Sequence, residues 1–388
     1  MENMSANNMT VTPAAIGGKD ALRVIIAGGG TGGHIFPAIA IAHALKKQHP
    51  ATNILFVGAN GKMEMEKVPQ AGFAIRGIDI AGFNRSSLLK NIALPYKLLK
   101  SFWQVRSIVR NFAPHLVVGV GGYSSFPVLR LAQAKGIPTF IHESNSFAGK
   151  SNMLLGKGAT KIFVASGGME KFFPAEKLQV TGNPVRASIA GRVIEQEDAL
   201  QFFGLSGGKK AVLIVGGSLG AKSINEAIDA HLDELIAAGL QVIWQTGKQY
   251  SAKGAQRAAG KEGIWVGDFI TQMEQAYAAA DVVISRAGAM AIAELALLGK
   301  PTVFVPYPFA AEDHQTANAR YLVEHHAAVM IKDSEAMEKV VPAIIALAQN
   351  EAEQKALSQN IKREGVRNAD EIIAAAILET VQGAVARV

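Results

Sequence analysis

Short apolar runs rich in β-branched residues recur along the chain, and most of them precede a stretch with helical periodicity. Residues 22–27 form the first apolar run, and residues 38–47 carry the first helical pattern. This alternation predicts an α/β fold in which helices cover both faces of parallel sheets. The other predicted strands are residues 53–57, 115–119, 139–142, 161–165 and 178–181, then residues 210–215, 241–245, 281–285 and 301–306.

An Asn-Pro turn at residues 182–186 divides these strands into two series. We predict two Rossmann-like, doubly wound domains, residues 21–185 and 186–369, that face a central cleft. In such folds ligands bind at the carboxyl ends of the strands. Residues 370–388 are expected to form a helix that packs back on the N-terminal domain. The polar residues 1–20 are expected to be a disordered leader, since they lack the basic start and apolar centre of a signal peptide.

Glycine-rich loops follow the first strand of each series. Residues 28–33 contain five glycines and Thr31, and His34 follows them directly. Backbone N–H groups in such a loop, at a helix N-terminus, can enclose an anionic oxygen, which predicts a phosphate site. The second loop, residues 216–220, adds the Ser218 hydroxyl. Neither loop is followed by a strand that ends in an acidic residue, which argues against a dinucleotide. A turn needed only for tight packing is the alternative for the first loop, and His34 counts against it.

Polar residues also mark later strand ends and helix starts. Residues 142–145, with sequence HESN, end a strand of the first series. Glu294 is the only charge in an apolar helix that begins near residue 286 and ends at residue 299. This carboxylate either lies on a solvated helix face or accepts the two vicinal hydroxyls of a ribose. Asp313 is a predicted N-cap, and Gln315 and Asn318 share one helix face, as amides that read hydroxyls would.

Composition narrows the classes of function. The 388 residues, 49% hydrophobic and 18% charged, indicate a globular chain long enough for two cores. The absence of cysteine excludes disulfides and thiolate metal sites. The sequence contains no Asp-x-Asp pair and no Walker A motif. A bound diphosphate would therefore be neutralised by helix N-termini and an arginine such as Arg186. The longest uncharged stretch, residues 116–129, is too short to span a bilayer.

The positive charge is concentrated in one segment. The chain has a net charge of +7, and residues 76–110 hold seven basic residues against one acid, Asp79. Apolar side chains lie between them, which predicts an amphipathic patch on an anionic membrane surface. A core helix with a basic outer face is the alternative. No nucleic-acid-binding module is recognisable, so nucleic acid is not expected as a partner. The predicted patch residues are Phe83, Leu88, Leu89, Lys90, Lys97, Phe102 and Trp103.

Six motifs in this order resemble those of the MurG family, within glycosyltransferase family 28. They are GGTGGHIFPA at residues 29–38, GVGGYS at 119–124, HESN at 142–145, GNPVR at 182–186, GGSLGA at 216–221 and DHQTAN at 313–318. The resemblance covers residues 22–385. Members of this family are peripheral bacterial enzymes that add N-acetylglucosamine to lipid I in peptidoglycan synthesis. The resemblance implies a GT-B fold and an inverting transfer that needs no metal or other cofactor.

The resemblance also implies partners and residue roles. UDP-N-acetylglucosamine would be the donor and undecaprenyl-linked lipid I the acceptor, at the cytoplasmic face of the plasma (inner) membrane, with cell-wall and division machinery as protein partners. His34 would be the general base, with Glu143 as the next candidate. The acceptor pyrophosphate would contact Gly29, Gly30, Gly121, Gly122 and Tyr123. The donor would contact Thr31, Gly32, Gly33, Asn145, Arg186, Ser218, Ile270, Ala289, Met290, Ala291, Ile292, Ala293, Glu294, Gln315 and Asn318.

Within that donor set, Glu294 would hold the ribose, Ile270 the uracil and Gln315 the sugar hydroxyls. Ala291 and Ala293 depart from the pattern, since some relatives carry Thr and Ser there. Two other functions stay open from the residues alone. A UDP-N-acetylglucosamine 2-epimerase has a similar two-domain build but needs no lipid acceptor and no basic patch. A non-catalytic nucleotide-sugar binder would tolerate the loss of His34.

Overall fold

The computed structural model describes residues 21–82, 94–191, 193–217 and 219–385. Within this part of the chain, the first sheet has seven parallel strands in the spatial order β3-β2-β1-β4-β5-β6-β7. Because β1 pairs with both β2 and β4, the strand order reverses beside it, and the loop after β1 lies at the switch point where ligands bind. The strands are β1 (Arg23–Ala27), β2 (Asn53–Ala59), β3 (Ala74–Ile78), β4 (Leu116–Gly119), β5 (Thr139–Glu143), β6 (Lys161–Val164) and β7 (Leu178–Val180).

Helices cover both faces of this sheet. The side chains of β1 are buried on both faces, as parallel strands between helix layers require. One face packs on α1 and the other on the layer that contains α3 and α4. The helices are α1 (Gly32–Gln48), α2 (Glu64–Gln70), α3 (Leu94–Phe112), α4 (Ser125–Ala134) and α5 (Lys150–Gly156).

The second sheet has six parallel strands among the described residues, in the order β10-β9-β8-β11-β12-β13. They are β8 (Ala211–Val215), β9 (Gln241–Gln245), β10 (Ile264–Gly267), β11 (Val282–Ser285), β12 (Thr302–Phe304) and β13 (Val329–Met330). The helices from here on are α6 (Ala187–Ala190), α7 (Gln196–Phe202), α8 (Lys222–Ala237), α9 (Ser251–Ala258), α10 (Met273–Ala279), α11 (Ala289–Leu298), α12 (His314–Glu324), α13 (Ala336–Gln349), α14 (Glu351–Arg363) and α15 (Ala369–Val385). The predicted fold class, two Rossmann-like parallel-sheet domains, is confirmed.

The last helix, α15, leaves the second series of elements and packs on α1. Ile373 and Ile377 are fully buried in the same cluster as Ile41 and Leu45. Burial of an isoleucine side chain contributes about 2 kcal/mol, so the two residues fix α15 firmly. Lys47 adds an exposed ion pair. The chain therefore returns to the domain in which it began.

Three strands and one helix start differ from the sequence-based expectation. The strands β3, β10 and β13 were not predicted, because they are short strands at sheet edges and few of their positions are fully buried. Helix α1 begins at Gly32, not at residue 38. Pro37 is thus the sixth residue of α1 and removes one i→i−4 hydrogen bond near the start of the helix. Consequently His34 lies within the first turn of α1, where the helix fixes its backbone.

Candidate active site

Three successive N–H groups of the glycine loop after β1 donate hydrogen bonds to other groups of the N-terminal domain. The bonds run from Gly28 N–H to the Val57 carbonyl (3.2 Å), from Gly29 N–H to the Gly121 carbonyl (3.4 Å) and from Gly30 N–H to Glu64 Oε2 (2.9 Å). In the structure the N–H groups of Gly29 and Gly30 are thus bound within the protein, and their contact with an acceptor pyrophosphate stays a prediction. Gly32 and Gly33 lie in the first turn of α1, whose amides have no partner within the helix, and these are the better phosphate donors.

The loop that contains Gly121 and Gly122 packs directly on the first glycine loop. A Cβ atom on Gly122 would lie 2.4 Å from the Gly29 carbonyl oxygen, and one on Gly121 would lie 2.9 Å from Nε2 of His34. Both glycines have positive φ angles, 92° and 81° respectively. The ring of Tyr123, which is half-buried, lies beside Gly30, and burial raises the pKa of its hydroxyl. The predicted acceptor residues thus form one compact group.

We expect Gly122→Ala to destabilise the protein more than Gly136→Ala. Both positions have positive φ, so each alanine carries backbone strain of about 1–2 kcal/mol. Only Gly122 adds an overlap, worth about 1–3 kcal/mol, because a Cβ on Gly136 meets nothing within 4 Å. Thermal unfolding of the two variants measures the difference. Equal melting temperatures would contradict the packing described here.

His34 has its ring oriented by the loop that precedes it. Its Nδ1 lies 3.1 Å from the Gly29 carbonyl oxygen and 3.3 Å from Thr31 Oγ1. Because a carbonyl oxygen can only accept, this geometry assigns the proton of the neutral ring to Nδ1 and leaves the lone pair on Nε2. The side chain is half-buried, and this burial lowers its pKa below 6.5. A neutral imidazole with its acceptor nitrogen exposed to the Gly121 loop can remove a proton from a hydroxyl group.

The pH dependence of the reaction should report this pKa. Protonated His34 cannot accept a proton, so kcat/KM falls as the pH drops through the pKa of the ring in the free enzyme. Because burial lowers that pKa, we expect the half-maximal point of the acid limb below pH 6.5. A pH–rate profile measures it. An acid limb centred above pH 6.5 would assign the controlling ionisation to another group.

Glu143, the second candidate base, is fully engaged in its own loop. It is buried at the end of β5, and its two carboxylate oxygens accept four hydrogen bonds. The donors are Asn145 N–H (3.1 Å), Asn145 Nδ2 (3.3 Å), Gly149 N–H (3.1 Å) and Asn152 Nδ2 (2.9 Å). Its carboxylate organises the loop between β5 and α5, and His34 remains the candidate base.

Glu294 does not lie on a solvated helix face. It is 4% exposed and points into the C-terminal domain. Its carboxylate receives a bidentate pair from Arg186, with Nε at 2.7 Å and Nη2 at 2.9 Å, and the Tyr277 hydroxyl at 3.0 Å. Burial, together with the Glu294 charge, raises the pKa of Tyr277 well above its usual value, so the hydroxyl keeps its proton and donates. The buried carboxylate is therefore held from two sides.

The remaining predicted donor residues of α11 do not share one face. Ala289, Ile292 and Ala293 line a cavity of about 50 Å³ between the two domains, whereas Glu294 points away from it. Ala293, where some relatives carry Ser, therefore lines this interdomain cavity. Met290 and Ala291 are half-buried at the start of α11.

Asn318 connects the two domains across this cavity. Its Oδ1 accepts from Ser146 N–H at 2.8 Å, and its Nδ2 donates to Asn145 Oδ1 at 3.2 Å. Gln315, one turn earlier, instead accepts from Tyr307 N–H at 2.9 Å within its own domain. Asp313 occupies the N-cap position of α12 as predicted, but its carboxylate accepts from the Thr316 hydroxyl and not from a backbone amide. Asn145 and Asn318 thus join the domains beside the candidate site.

The second glycine loop is tied to the predicted uracil residue by a glutamine. Gln245, buried at the end of β9, donates to the Gly217 carbonyl at 2.9 Å and accepts from Ile270 N–H at 3.1 Å. Ile270 is itself buried. Ser218, predicted from the same loop, lies outside the described residues. Gln245 thus fixes the separation between the second glycine loop and the segment that carries Ile270.

Helix α3 carries the described part of the predicted membrane patch. Tyr96, Leu99 and Trp103 follow helical i, i+3, i+7 spacing and are 68%, 64% and 77% exposed. Lys97 is exposed beside them, and Phe102 is half-buried. Phe83, Leu88, Leu89 and Lys90 lie outside the described residues. No helix in the described ranges is long and apolar enough to cross a bilayer.

Three residues that organise this site were missed in the sequence: Glu64, Gln245 and Tyr277. Tyr277 lies in a short helix that has no functional pattern. Gln245 ends a predicted strand and offers a signal, because a polar residue at the carboxyl end of a parallel strand faces the ligand side of the sheet. Glu64 lies in the first turn of α2, next to another glutamate two residues later, and nothing local distinguishes the two.

Comparison with known proteins agrees with this architecture, which is that of the GT-B fold. The glycosyltransferase family 28 N-terminal domain matches residues 24–164, and the family 28 C-terminal domain matches residues 211–373. A relative from Parabacteroides distasonis is named UDP-N-acetylglucosamine–N-acetylmuramyl-(pentapeptide) pyrophosphoryl-undecaprenol N-acetylglucosamine transferase. It is 51% identical over 354 residues, which cover 90% of this chain and 96% of the relative.

Two solved structures share this fold. The crystal structure of Acinetobacter baumannii MurG has a TM-score of 0.74 and 30% identity, with 92% of this chain and 99% of that chain covered. A putative UDP-N-acetylglucosamine 2-epimerase from Listeria monocytogenes has a TM-score of 0.67 at 13% identity, with 94% of this chain and 97% of that chain covered, and shows the fold alone. The chain belongs to the MurG family, within glycosyltransferase family 28.

Proposed function

We propose that this chain transfers N-acetylglucosamine from UDP-N-acetylglucosamine to the C4 hydroxyl of the N-acetylmuramoyl unit of lipid I, which gives lipid II. The identity of 51% to a transferase named for this reaction carries the proposal. The site supports it, because the imidazole of His34 carries its lone pair where two glycine loops meet. The epimerase alternative is supported only by a likeness of fold.

The chemistry follows from the arrangement of these groups. The C4 oxygen of the acceptor attacks the anomeric carbon from the face opposite the diphosphate, while Nε2 of His34 takes the hydroxyl proton. The bond between the anomeric carbon and the diphosphate oxygen breaks, and the electron pair leaves with UDP. Amides at the start of α1 and α11 stabilise the phosphate charge. The configuration at the sugar is inverted, and no cofactor takes part.

Arg186 has a second role in this proposal. In the structure its guanidinium is bound to the carboxylate of Glu294, which is the group that would bind the donor ribose. When the ribose hydroxyls bind Glu294, the guanidinium is displaced toward the diphosphate, where its charge is needed as UDP leaves. Arg186 therefore keeps the buried carboxylate paired until the donor arrives.

The decisive test is transfer of labelled N-acetylglucosamine to a short-chain lipid I analogue in the presence of EDTA. Product formation supports the donor, the acceptor and metal independence together. If the folded protein binds UDP but forms no product, the same sample is examined by NMR for UDP-N-acetylmannosamine. Appearance of that sugar nucleotide would replace the transferase proposal by the epimerase alternative.

The acceptor is a lipid, and helix α3 supplies a surface that suits a peripheral enzyme at the cytoplasmic face of the plasma membrane. Its exposed apolar stripe lies beside Lys97 and Lys100. Lys100 also pairs with Asp79 at 2.8 Å, and this contact, with Asn60 and Gln104, lowers the pKa of that carboxyl to about 2. Basic residues near an anionic surface contribute roughly 1 kcal/mol each.

We expect Trp103→Glu to weaken binding to phosphatidylglycerol vesicles about 10- to 100-fold, because it removes a large apolar side chain and adds a negative charge. Vesicle sedimentation measures this. Phe202→Glu is the matched control, since Phe202 is an exposed aromatic residue on α7 of the other domain. If the two substitutions weaken vesicle binding equally, α3 is not the surface that binds the membrane. Binding that survives high salt would indicate insertion of the apolar stripe.

A further inference from the structure

A single peptide group connects a buried carboxylate to the candidate base. The peptide between Gly29 and Gly30 accepts from His34 Nδ1 through its carbonyl oxygen, at 3.1 Å. The N–H of the same peptide donates to Glu64 Oε2 at 2.9 Å. In a planar trans peptide, these two groups point in opposite directions. The order of contacts is therefore carboxylate, amide, imidazole.

The surroundings of Glu64 are built for a carboxylate. The side chain is 1% exposed, and its other oxygen, Oε1, accepts from Ala59 N–H at 3.0 Å. Hydrogen bonds from two backbone amides satisfy a buried carboxylate without a cation. A Cβ atom on Gly29 would lie 2.4 Å from the carboxylate carbon, and one on Gly58 would lie 2.5 Å from Cγ of Glu64. Two glycines thus make room for this one side chain.

We propose that Glu64 is a positioning residue for His34 and acts through the Gly29–Gly30 peptide. The proposal rests on the proposed role of His34 as general base. The carboxylate fixes the plane of a peptide whose residues both have positive φ, and so aims its carbonyl at Nδ1. It also polarises the amide, which makes the carbonyl a stronger acceptor. The proton is thereby kept on Nδ1 and the lone pair on Nε2, directed at the acceptor hydroxyl.

Other ionisable groups face His34 and determine the sign of the effect. Burial lowers the pKa of His34 most, the charges of Glu143 on β5 and Glu64 on α2 raise it, and His314 on α12 lowers it. His142, buried on β5, also interacts electrostatically with His34, and its own burial lowers its pKa to about 4, so it is neutral near pH 7. Removal of the Glu64 charge should therefore move the pKa of His34 further down.

Glu64→Gln is the principal test. Its amide group presents an acceptor to only one of the two backbone N–H groups and a donor to the other. We expect kcat to fall about 10- to 100-fold through loss of ring orientation, with KM for UDP-N-acetylglucosamine unchanged. The acid limb of the kcat profile should move to lower pH. Glu64→Asp, which keeps the charge, should restore part of kcat.

Nitrogen NMR of histidine-labelled protein gives a readout independent of activity. The His34 signals, assigned from His34→Gln, should show the Nδ1–H form in the wild type and a mixture of tautomers in Glu64→Gln. Asp281→Asn is the matched control, because Asp281 also accepts from a backbone amide, Ala211 N–H at 2.8 Å, far from the site. It should change neither the His34 signals nor kcat.

The outcomes separate this proposal from the proposed function. An unchanged tautomer and unchanged titration of His34 in Glu64→Gln would overturn the role of Glu64, even if kcat falls. If the wild type transfers no sugar, the proposed function fails, while the tautomer measurement still decides whether Glu64 controls the ring. If Glu64→Gln does not fold, the test uses Glu64→Asp and the tautomer of His34 in the wild type. An Nε2–H form of His34 in the wild type would overturn the proposal.

Discussion

Replacement of His34 by alanine is expected to lower kcat by about 10²- to 10⁴-fold, the usual contribution of a general base. This corresponds to a loss on the order of 3–5 kcal/mol of barrier reduction. The expectation follows from the geometry of the ring, whose Nδ1 is bound to the Gly29 carbonyl and whose Nε2 adjoins Gly121. Since alanine leaves the glycine loops in place, binding of UDP-N-acetylglucosamine should persist.

The measurement is steady-state transfer with separate kcat and KM values, together with a pH profile. The acid limb that depends on His34 should disappear in His34→Ala. His43→Ala is the control, because His43 lies on the same helix, is exposed and packs on Phe73 at a ring distance of 4.8 Å. It should leave kcat unchanged. A His34→Ala variant with normal kcat would require another base, with Glu143 tested first by Glu143→Gln.

The central strands and the first glycine loop could be predicted from local sequence. Strands such as β1 and β8 are buried on both faces, so they appear as apolar runs that a glycine loop follows. Edge strands have one solvated face and lose that signal. The short strand β3 contains Arg76 and Gly77, and the half-exposed β10 has no buried position. The sequence thus predicts the sheet centre better than its margins.

The direction of each amide in the loop could not be predicted. Glycine content indicated a site for an anion, but the structure shows that Gly30 N–H meets the carboxylate of Glu64. Glu64 and Glu66 are two residues apart on a seven-residue helix, so they face different sides, and only Glu64 is buried. Glu66 instead pairs with Lys67 in solvent. A helix this short has too few apolar positions to show which glutamate points inward.

Contacts between the domains also could not be predicted from the local sequence pattern. Gln315 and Asn318 were expected to share one function because they share a helix face. In the structure Gln315 binds its own domain, at Tyr307, whereas Asn318 reaches Ser146 and Asn145 of the other domain. Their difference depends on how the two sheets are placed, which no helical periodicity encodes. The assignment of either residue to the donor sugar stays a prediction.

The second large effect concerns the buried carboxylate of the C-terminal domain. We expect Glu294→Gln to raise KM for UDP-N-acetylglucosamine about 10- to 100-fold with little change in kcat. Hydrogen bonds to a charged group contribute about 1.5–3 kcal/mol, and contacts to the ribose are made equally in the ground and transition states. The glutamine amide also meets the donating groups of Arg186 and Tyr277, which now hold the carboxylate at 2.7–3.0 Å.

A donor that lacks the ribose 2′-hydroxyl identifies the contact responsible. The wild type should prefer UDP-N-acetylglucosamine over its 2′-deoxyribose analogue, and Glu294→Gln should lose most of that preference, because the partner of the hydroxyl has been weakened. Glu364→Gln is the matched control, since Glu364 also accepts from a tyrosine hydroxyl, that of Tyr321 at 2.9 Å, in the same domain. It should keep both KM and the preference. If Glu294→Gln folds and still discriminates against the deoxy donor, the ribose is held elsewhere, and the Arg186–Glu294 pair serves the architecture of the domain, because the guanidinium neutralises this buried carboxylate whether or not a nucleotide binds.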